Sequence, residues 1–527
     1  MTNALFLNRK IFDYFLISVL VVSTTIGLIF LSESLIKPKA EIADIFIDCD
    51  QDFRAYDFKG KGTKESPYLI ENIHFNSEKQ FIIHIRFTTK FFTIRNCILE
   101  NRENVGIFIY KIAPGSALIE NNTFTSEIGI NLIKTNDIII EENIFTDFSY
   151  GIKIYLSSNN SIMKNDFSNS LEEDSYFDII GSCTKIESSQ LCNFQYNSCF
   201  NSTIGLELYN TEALDIGNNN FTSNKIGITA ESALSSNFID NLFKINKEGF
   251  LLINSPYSSL TNNNFISNGL TIDERYFPLY DTYSLKNNFV NDQEIGLFVY
   301  EENLTINEPT YGQLIIVLCK NVIIQNQNLD NASNGLYIVE TKNIQIINNT
   351  CNFNLKCGIY FERSHDNIII NNTISNNLQG LSFTRSNHIS IENNMINSNY
   401  LGLFFEYAND CNIIGNTINY NIIKAITTSR KCDSFKITYN HFEENIGYAI
   451  FISDQLYYII HHNSFIDNAL DKNAQCFDSP YPDLRNFWYD ILLEEGNYWS
   501  DWDGLDDYIL DGGGFVRDRY PLSVPPV

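Results

Sequence analysis

The sequence predicts an all-β fold built as a parallel β-helix, in which each turn of chain stacks on the turn before it. A short apolar run led by Gly or Ala recurs every 22 to 24 residues, and an Asn recurs about halfway through each unit. A fixed period of this length indicates a stacked array, because one unit cannot bury its apolar face alone. Within each run apolar and polar residues alternate, which indicates strands.

The repeats are most regular between residues 335 and 465. The apolar runs there begin at Gly335, Gly358, Gly380, Gly402, Ala425 and Ala449, and the Asn column comprises Asn349, Asn372, Asn394, Asn416, Asn440 and Asn463. We expect each Asn to adopt a left-handed backbone at a bend and to hydrogen-bond to the Asn above and below it. A leucine-rich repeat would need a Leu-x-x-Leu-x-Leu run before its Asn, which is missing here. Parallel strands joined by crossovers favour a right-handed coil.

The N-terminal residues 1–40 contain an uncharged apolar stretch, Tyr14 to Leu31, preceded by Arg9 and Lys10. It predicts a hydrophobic helix that acts either as a signal anchor in the membrane or as a signal peptide. Both alternatives place the rest of the chain outside the cytoplasm.

The remaining chain divides into three predicted parts. Residues 41–104 form an N-terminal cap and the first coils, residues 105–465 form the β-helix repeats, and residues 466–527 form a C-terminal cap rich in Asp and Trp. A cap is expected because the open end of a β-helix exposes unpaired strand edges.

Of the eleven cysteines, Cys183, Cys192 and Cys199 lie in an irregular insert, where one disulfide is an option.

Two short motifs outside the repeats resemble those of NosD-like proteins. They are Gly-Lys-Gly-Thr-Lys-Glu-Ser-Pro-Tyr-Leu-Ile-Glu at 60–71 and Gly-Asn-Tyr-Trp-Ser-Asp-Trp-Asp-Gly at 496–504, followed by Asp-Arg-Tyr-Pro at 518–521. The resemblance implies a pectin-lyase-like, right-handed parallel β-helix of the carbohydrate-binding and sugar-hydrolysis type. It also implies an extracytoplasmic location. Founding members are periplasmic and linked to copper delivery, whereas most relatives are surface proteins without a defined activity.

The net charge and the number of potential metal ligands limit which partners and cofactors are candidates. A net charge of −27 argues against nucleic acid as a partner. Copper is disfavoured because the chain has only 3 Met and 7 His, although His441, His461 and His462 lie near the Asn column. Calcium is a candidate cofactor, since the resemblance implies an acidic calcium-type loop in the tail and carboxylates supply hard oxygen ligands. The candidate ligands are Asp501, Asp503, Asp506 and Asp507, which would otherwise form turns.

Two sets of residues on the outer face of the coils are candidate site residues. Glu362 and Glu406 lie two coils apart, roughly 9–10 Å, near the upper end of the range of about 6.5–9.5 Å for inverting glycosidases. They are the catalytic candidates, and solvated surface charges are the alternative.

Four aromatic residues, Tyr337, Tyr360, Phe404 and Phe451, project outward and offer flat faces to sugar rings. The alternative is ordinary strand propensity with loops covering the rings.

The sequence therefore predicts an exported or cell-surface β-helix protein that binds glycans or other surface polymers without catalysis. A polysaccharide lyase or glycoside hydrolase is the second hypothesis. A NosD-like role in copper-related maturation is the third.

Overall fold

The computed structural model describes residues 39–170, 181–274, 279–479, 486–512 and 516–526. In these ranges the chain forms about 18 turns of a parallel β-helix. It divides into two compact units, Met1–Ser189 and Gln190–Val527, so the division falls inside the predicted repeat region 105–465. The predicted hydrophobic helix, Tyr14 to Leu31, lies outside the described residues. Among the helices that are described, none is both long and apolar enough to cross a bilayer.

Each turn contributes strands to three faces. The first face holds the Gly-led run, the second follows after a bend, and the third begins just after the Asn column. Strands pair in parallel with the strand one turn later, and like residues meet: Leu381 pairs with Leu403, and Phe383 with Phe405. Because the register repeats from turn to turn, the predicted columns become rows of side chains.

In the first unit a helix, Lys39–Ile42, and a 3-10 helix, Asp52–Ala55, precede the regular turns. The first face contains strands Ala43–Ile47, Phe81–Arg86, Tyr150–Tyr155 and Ser182–Glu187. The second face contains Tyr68–Glu71, Phe92–Arg95, Ala117–Glu120, Ile139–Glu141 and Ser161–Met163. The third contains His74–Asn76, Ile144–Phe148 and Asp166–Ser170, and two long strands, Ile98–Tyr110 and Thr123–Ile133, run across the third and first faces.

In the second unit the first face contains Ile204–Glu212, Ile226–Leu234, Glu248–Ile253, Leu270–Asp273, Gln293–Val299, Tyr311–Val317, Asn334–Val339, Cys357–Glu362, Gln379–Thr384, Leu401–Glu406, Lys424–Ser429, Ile450–Ser453 and Phe477–Ser479. The second face contains Asn193–Gln195, Asp215–Gly217, Asn237–Ile239, Ser259–Thr261, Ser284–Lys286, Thr305–Ile306, Lys320–Gln325, Lys342–Ile347, Asn367–Ile370, Ile389–Glu392, Asn412–Ile414, Lys436–Thr438 and Ile459–His461.

The third face of the second unit contains Ser198–Phe200, Asn220–Thr222, Leu242–Lys244, Asn264–Ile266, Phe289–Val290, Thr373–Ser375, Met395–Asn397, His441–Glu443, Ser464–Ile466 and Tyr498–Trp499. A 3-10 helix, Tyr280–Thr282, and an antiparallel pair, Tyr508–Ile509 with Arg517–Asp518, complete the unit.

The interior is filled by stacked apolar side chains, one from each turn. The rings of Phe361, Phe383 and Phe405 are fully buried, and successive ring centroids lie 4.8 and 4.9 Å apart. This is the spacing of neighbouring strands, about 4.8 Å. The stacking therefore follows directly from placing the same residue type in the same column.

The predicted Asn column forms a continuous buried ladder. The Nδ2 of Asn372 donates to the Oδ1 of Asn394 at 3.0 Å, and Asn394 donates to Asn416 at 3.0 Å. The expectation that the ladder Asn itself adopts the left-handed backbone is wrong. The residue before it does so, as at Asn371 with φ 57° and Asn393 with φ 53°. The ladder side chain must point into the core, so the turn is made one residue earlier.

A second Asn ladder, five residues further along, was not predicted. Asn377 donates to Asn399 at 2.9 Å, and Asn421 donates to Asn445 at 2.9 Å. The signal was present in the sequence as a second Asn at constant spacing after the first. Two ladders per turn satisfy the buried backbone groups at two corners, which explains the abundance of Asn.

One junction interrupts the second unit. Strand Phe289–Val290 turns back and pairs antiparallel with Gln293–Val299. The Gln313 side chain forms two hydrogen bonds with the backbone of Leu270. Its Oε1 accepts from the Leu270 amide at 3.0 Å, and its Nε2 donates to the Leu270 carbonyl at 2.7 Å. A side-chain amide thus occupies the place of a neighbouring strand.

All eleven cysteines are free thiols, and all but Cys49 are buried. The disulfide expected as an option among Cys183, Cys192 and Cys199 is therefore absent. Each of these side chains fills an interior position of its own turn, with 0 % exposure. Burial of this kind makes them packing residues.

Candidate functional site

The outer side of the first face in the second unit carries a row of side chains aligned by strand register. In order, the row is Tyr337, Tyr360, Ser382, Phe404, Thr427, Phe451 and Phe477. Tyr360, Phe404 and Phe451 occupy alternate turns. Because neighbouring strands lie about 4.8 Å apart, these rings recur roughly every 10 Å.

A second row lies two residues further along the same strands. It comprises Glu362, Thr384, Glu406, Ser429, Ser453 and Ser479, all partly exposed. We call the two rows from Tyr360 to Ser479 the platform. Its rings offer flat apolar faces, and the neighbouring hydroxyls and carboxylates offer hydrogen bonds.

Three of the four predicted aromatic residues are partly exposed on the platform, and Tyr337 is not. Tyr337 is 7 % exposed and stacks on Tyr360, with ring centroids 5.2 Å apart and an interplanar angle of 8°. Burial raises the pKa of Tyr337 well above its usual value, and nearby Tyr280 adds to the effect. Tyr280 comes from the insert after Leu270–Asp273, so this insert lies close to the start of the platform.

The small residues between the rings leave them accessible. Phe404 is flanked in the row by Ser382 and Thr427, which are only 2 % and 8 % exposed. At the far end Phe451 stacks on Phe477, with ring centroids 4.6 Å apart and an interplanar angle of 13°. From Tyr360 to Phe451 the row therefore alternates between aromatic residues and small residues, and it ends in two adjacent rings.

The two predicted catalytic carboxylates lie on the platform and belong to separate ion pairs. Strand register places Thr384 between Glu362 and Glu406, which confirms their separation by two strands. Glu362 contacts Arg363, and Glu406 lies 3.3 Å from Arg430. Arg363 also binds Glu340 at 2.8 Å. The carboxylates of Glu362 and Glu406 are therefore each directed toward an arginine at a bend next to the strand.

Lys424 lies beside the platform, and the sequence interpretation missed it. Its Nζ lies 3.2 Å from the centroid of the Phe451 ring, and burial lowers the pKa of this amine. Within the described ranges it has no carboxylate within 4.0 Å. The sequence contained a signal for it, because the equivalent position on the three preceding turns holds an uncharged residue. Those residues are Cys357, Gln379 and Leu401, whereas Lys424 carries a charge directly before Ala425.

Tyr448 closes this end of the platform. Its ring lies 6.0 Å from that of Phe451 and 5.7 Å from that of Phe477. Its hydroxyl donates to the Oδ2 of Asp511 at 3.1 Å. Burial, together with the Asp511 carboxylate, raises the pKa of Tyr448 to about 12, so the phenol stays protonated and can donate at neutral pH.

Comparison with known families supports the fold described above. Residues 82–243 match the family described as the right-handed β-helix region, and residues 301–504 match the periplasmic copper-binding protein NosD. The two matches and the described strands identify the fold as a right-handed parallel β-helix, with a NosD-like segment at residues 301–504. No curated protein matches it.

Solved structures share the fold at low sequence identity. The periplasmic alginate epimerase AlgG is 10% identical, with 67% of this chain and 74% of that chain covered and a TM-score of 0.25. The A-module of the Azotobacter vinelandii mannuronan C-5 epimerase AlgE4 is 11% identical, with 71% and 86% covered and a TM-score of 0.19. The DFA-IIIase of Arthrobacter chlorophenolicus A6 is 11% identical, with 67% and 84% covered and a TM-score of 0.26. Similarities this weak support no functional assignment.

The residues of this NosD-like chain do not fit a copper ion. In the described part of the chain no three His, Cys, Asp or Glu side chains are grouped to hold a metal. His461 and His462 bond to each other through their Nδ1 atoms at 2.6 Å, and His462 Nε2 lies 2.8 Å from Glu495. His441 is engaged by Glu443 at 3.2 Å. The histidines are thus held by neighbouring side chains.

The four aspartates proposed for calcium have separate roles in the cap. Asp501 accepts from Gln475 Nε2 at 2.7 Å and from the Tyr508 hydroxyl at 3.0 Å. Asp503 accepts from the Leu505 amide, Asp507 pairs with Arg517 at 3.1 Å, and the Asp506 carbonyl accepts from Trp502. Nothing in this arrangement directs the carboxylates toward one ion.

Proposed function

We propose that this chain is an extracytoplasmic β-helix protein that binds a glycan or another surface polymer along the platform, without catalysis. The observation that carries the proposal is the regular spacing of Tyr360, Phe404 and Phe451 beside a row of hydroxyls and carboxylates. A linear polymer with a repeating unit can place one apolar face on each ring, while its hydroxyls bond to the second row. Membrane attachment through the N-terminal segment is part of the same proposal.

The test is a glycan array probed with the purified protein, followed by calorimetry on the strongest ligand. Phe404→Ala and Phe451→Ala each remove one ring, and we expect about a tenfold loss of affinity, equivalent to roughly 1.4 kcal/mol. Tyr257→Ala is the matched control, because Tyr257 is 64% exposed and lies outside the platform. If both platform variants bind as the wild type does, or if no glycan or other polymer binds, the proposal is wrong.

A glycoside hydrolase or polysaccharide lyase is the alternative, favoured by the placement of Glu362 and Glu406 on the same outer row. The ion pairs with Arg363 and Arg430 weigh against it, since a proton donor has to face the bond that breaks. Incubation of the bound glycan with the protein, followed by chromatography for shorter products, separates the two. Products that disappear in Glu362→Gln and Glu406→Gln would establish catalysis.

A further inference from the structure

In the second unit, the bend after the second Asn ladder carries exposed apolar side chains on five consecutive turns. One stands directly after each ladder Asn, and they are between 37 and 65% exposed: Leu355, Leu378, Tyr400, Ile422 and Ile446. We call these five residues the stripe. Parallel pairing aligns them, as where the Tyr400 amide donates to the Asn377 carbonyl at 2.9 Å. Successive members therefore lie about 4.8 Å apart.

The same position is charged on two earlier turns of the unit. Lys225 and Lys247 directly follow the ladder residues Asn224 and Asn246, and both lysines are exposed. A single exposed aliphatic residue is ordinary on a protein surface, whereas a contiguous apolar patch marks a contact surface. The change from lysine to apolar residues over five consecutive turns thus favours a contact at this part of the bend.

Three further apolar side chains widen the stripe. Phe353 and Tyr420 are 56 and 46% exposed, and Ile423 is 40% exposed. Phe353 and Tyr420 have a left-handed backbone, with φ 56° and 59°, which bulky residues rarely adopt. Together the eight side chains offer on the order of 700 Å², close to the roughly 800 Å² that each partner contributes to a standard-size interface.

Few charges adjoin the stripe, although the chain has a net charge of −27. Within two residues of its members the charged side chains are Lys356, Lys424 and Glu444. Lys356 pairs with Glu248, and the Lys424 amine lies over the Phe451 ring. The centre of the stripe is therefore uncharged, with a lysine beside its first turn and an exposed glutamate beside its last.

A second copy of this chain matches these properties. It brings a stripe with the same spacing and enough apolar area for a self-complementary contact. A lipid surface matches them less well, because segments that lie on membranes carry Lys and Arg beside their apolar residues. On the central turns the stripe is preceded by Asn376 and Ser398 instead.

The charges at the two ends favour one orientation. If a two-fold axis passes through Tyr400 perpendicular to the stripe, the two stripes run antiparallel. Lys356 of each copy then faces Glu444 of the other. If the stripes ran parallel, the two Glu444 carboxylates would face each other, and like charges in an interface are unfavourable.

We propose that the stripe joins two copies of this chain into a two-fold symmetric dimer with antiparallel stripes, centred on Tyr400. The dimer does not rest on glycan binding, because no platform residue belongs to the stripe. Both copies carry a large negative charge, so salt should strengthen the association by screening their repulsion.

The experiment is analytical ultracentrifugation of the full chain over a range of protein and salt concentrations. We expect a dimer that dissociates on dilution and is tighter at high than at low ionic strength. Tyr400→Glu and Ile422→Glu each place carboxylates in the apolar contact, and each should weaken association at least about tenfold. Ile459→Glu is the matched control, because Ile459 is also 44% exposed and lies on the second face. It should leave association unchanged.

Crosslinking with a short bismaleimide tests the orientation. Ten of the eleven native cysteines are buried, so an introduced cysteine can be addressed selectively. Leu355→Cys and Ile446→Cys should crosslink when the two variants are mixed. Each alone should not, because antiparallel stripes separate the two identical positions by about 19 Å.

Every outcome supports or overturns the dimer. Circular dichroism and a thermal melt establish that each variant is folded, and Phe404→Ala on the platform should leave association unchanged. A wild-type chain that stays monomeric overturns the proposal, whether phosphatidylcholine vesicles or residues 1–38 then cover the stripe. A dimer that persists in both Tyr400→Glu and Ile422→Glu, or crosslinking of Leu355→Cys with itself, overturns it as well.

Discussion

At the scale of single residues, His84 shows how burial governs a titrating group. It is 2 % exposed and packs among the rings of Phe46, Phe81 and Phe108. Among the residues that the structure describes, neither ring nitrogen has a hydrogen-bond partner. Burial, followed by the charge of Arg86, lowers the pKa of His84 to about 3. The imidazole is therefore neutral in the folded protein at every physiological pH.

This burial makes the first unit sensitive to acid. Between pH 6.5 and about 3 the unfolded chain binds a proton at His84 and the folded chain does not, so the free energy of unfolding falls as the pH falls through this window. His84→Phe should remove this dependence, on the order of 4–5 kcal/mol across the window, and should stabilise the unit at pH 7 by about 1–2 kcal/mol. Denaturant unfolding at several pH values from 3 to 7 measures both effects. The exposed His74→Gln is the control, and an unchanged pH profile in His84→Phe would contradict the prediction.

At the scale of one turn, the Asn ladder separates two roles at neighbouring positions. Asn394 Nδ2 donates to the carbonyls of Ile369 and Glu392 at 2.9 and 3.0 Å and to Asn416 Oδ1 at 3.0 Å. Asn393 is exposed and has the left-handed backbone. The first residue satisfies buried backbone groups, and the second makes the bend.

Two substitutions distinguish these roles. Asn394→Ala leaves several buried polar groups unpaired, and we expect a loss of about 3–5 kcal/mol in the free energy of unfolding. Asn393→Gly keeps the left-handed bend available. We expect it to change the free energy of unfolding by less than about 1 kcal/mol. Urea unfolding followed by circular dichroism measures both. Equal destabilisation by the two variants would show that the ladder does not have the assigned role.

At the scale of the whole molecule, the C-terminal residues of the second unit, the predicted cap, continue the contacts of its β-helix. Asn497 extends the ladder by accepting from Asn463 at 2.9 Å, and Trp499 stacks on Phe465 with ring centroids 4.3 Å apart. Asp518 accepts from the Trp499 indole at 3.0 Å, and burial raises the pKa of this carboxyl to about 6. The last regular turn is thus covered by the kind of contact that joins any two turns.

Removal of the cap should expose a strand edge. We expect a chain truncated after residue 485 to aggregate, because an unpaired edge and the Phe465 ring become accessible. Light scattering and size-exclusion chromatography measure this outcome. Leu492→Ser, at a cap residue that is 93% exposed, is the control and should remain monodisperse if the wild type is. A truncated chain as soluble and as stable as the full chain would contradict the assigned role.

The sequence by itself determined the strands, the stacked turns, the Asn ladder and the two-strand separation of Glu362 and Glu406. These depend only on a constant repeat length, because parallel register aligns equivalent residues automatically. Only the tertiary structure decided the burial of Tyr337, the pairing of Glu362 and Glu406 with arginines, and the position of the Lys424 amine above the Phe451 ring. Each of these depends on an insert or corner that breaks the repeat, where distance along the chain no longer fixes distance in space.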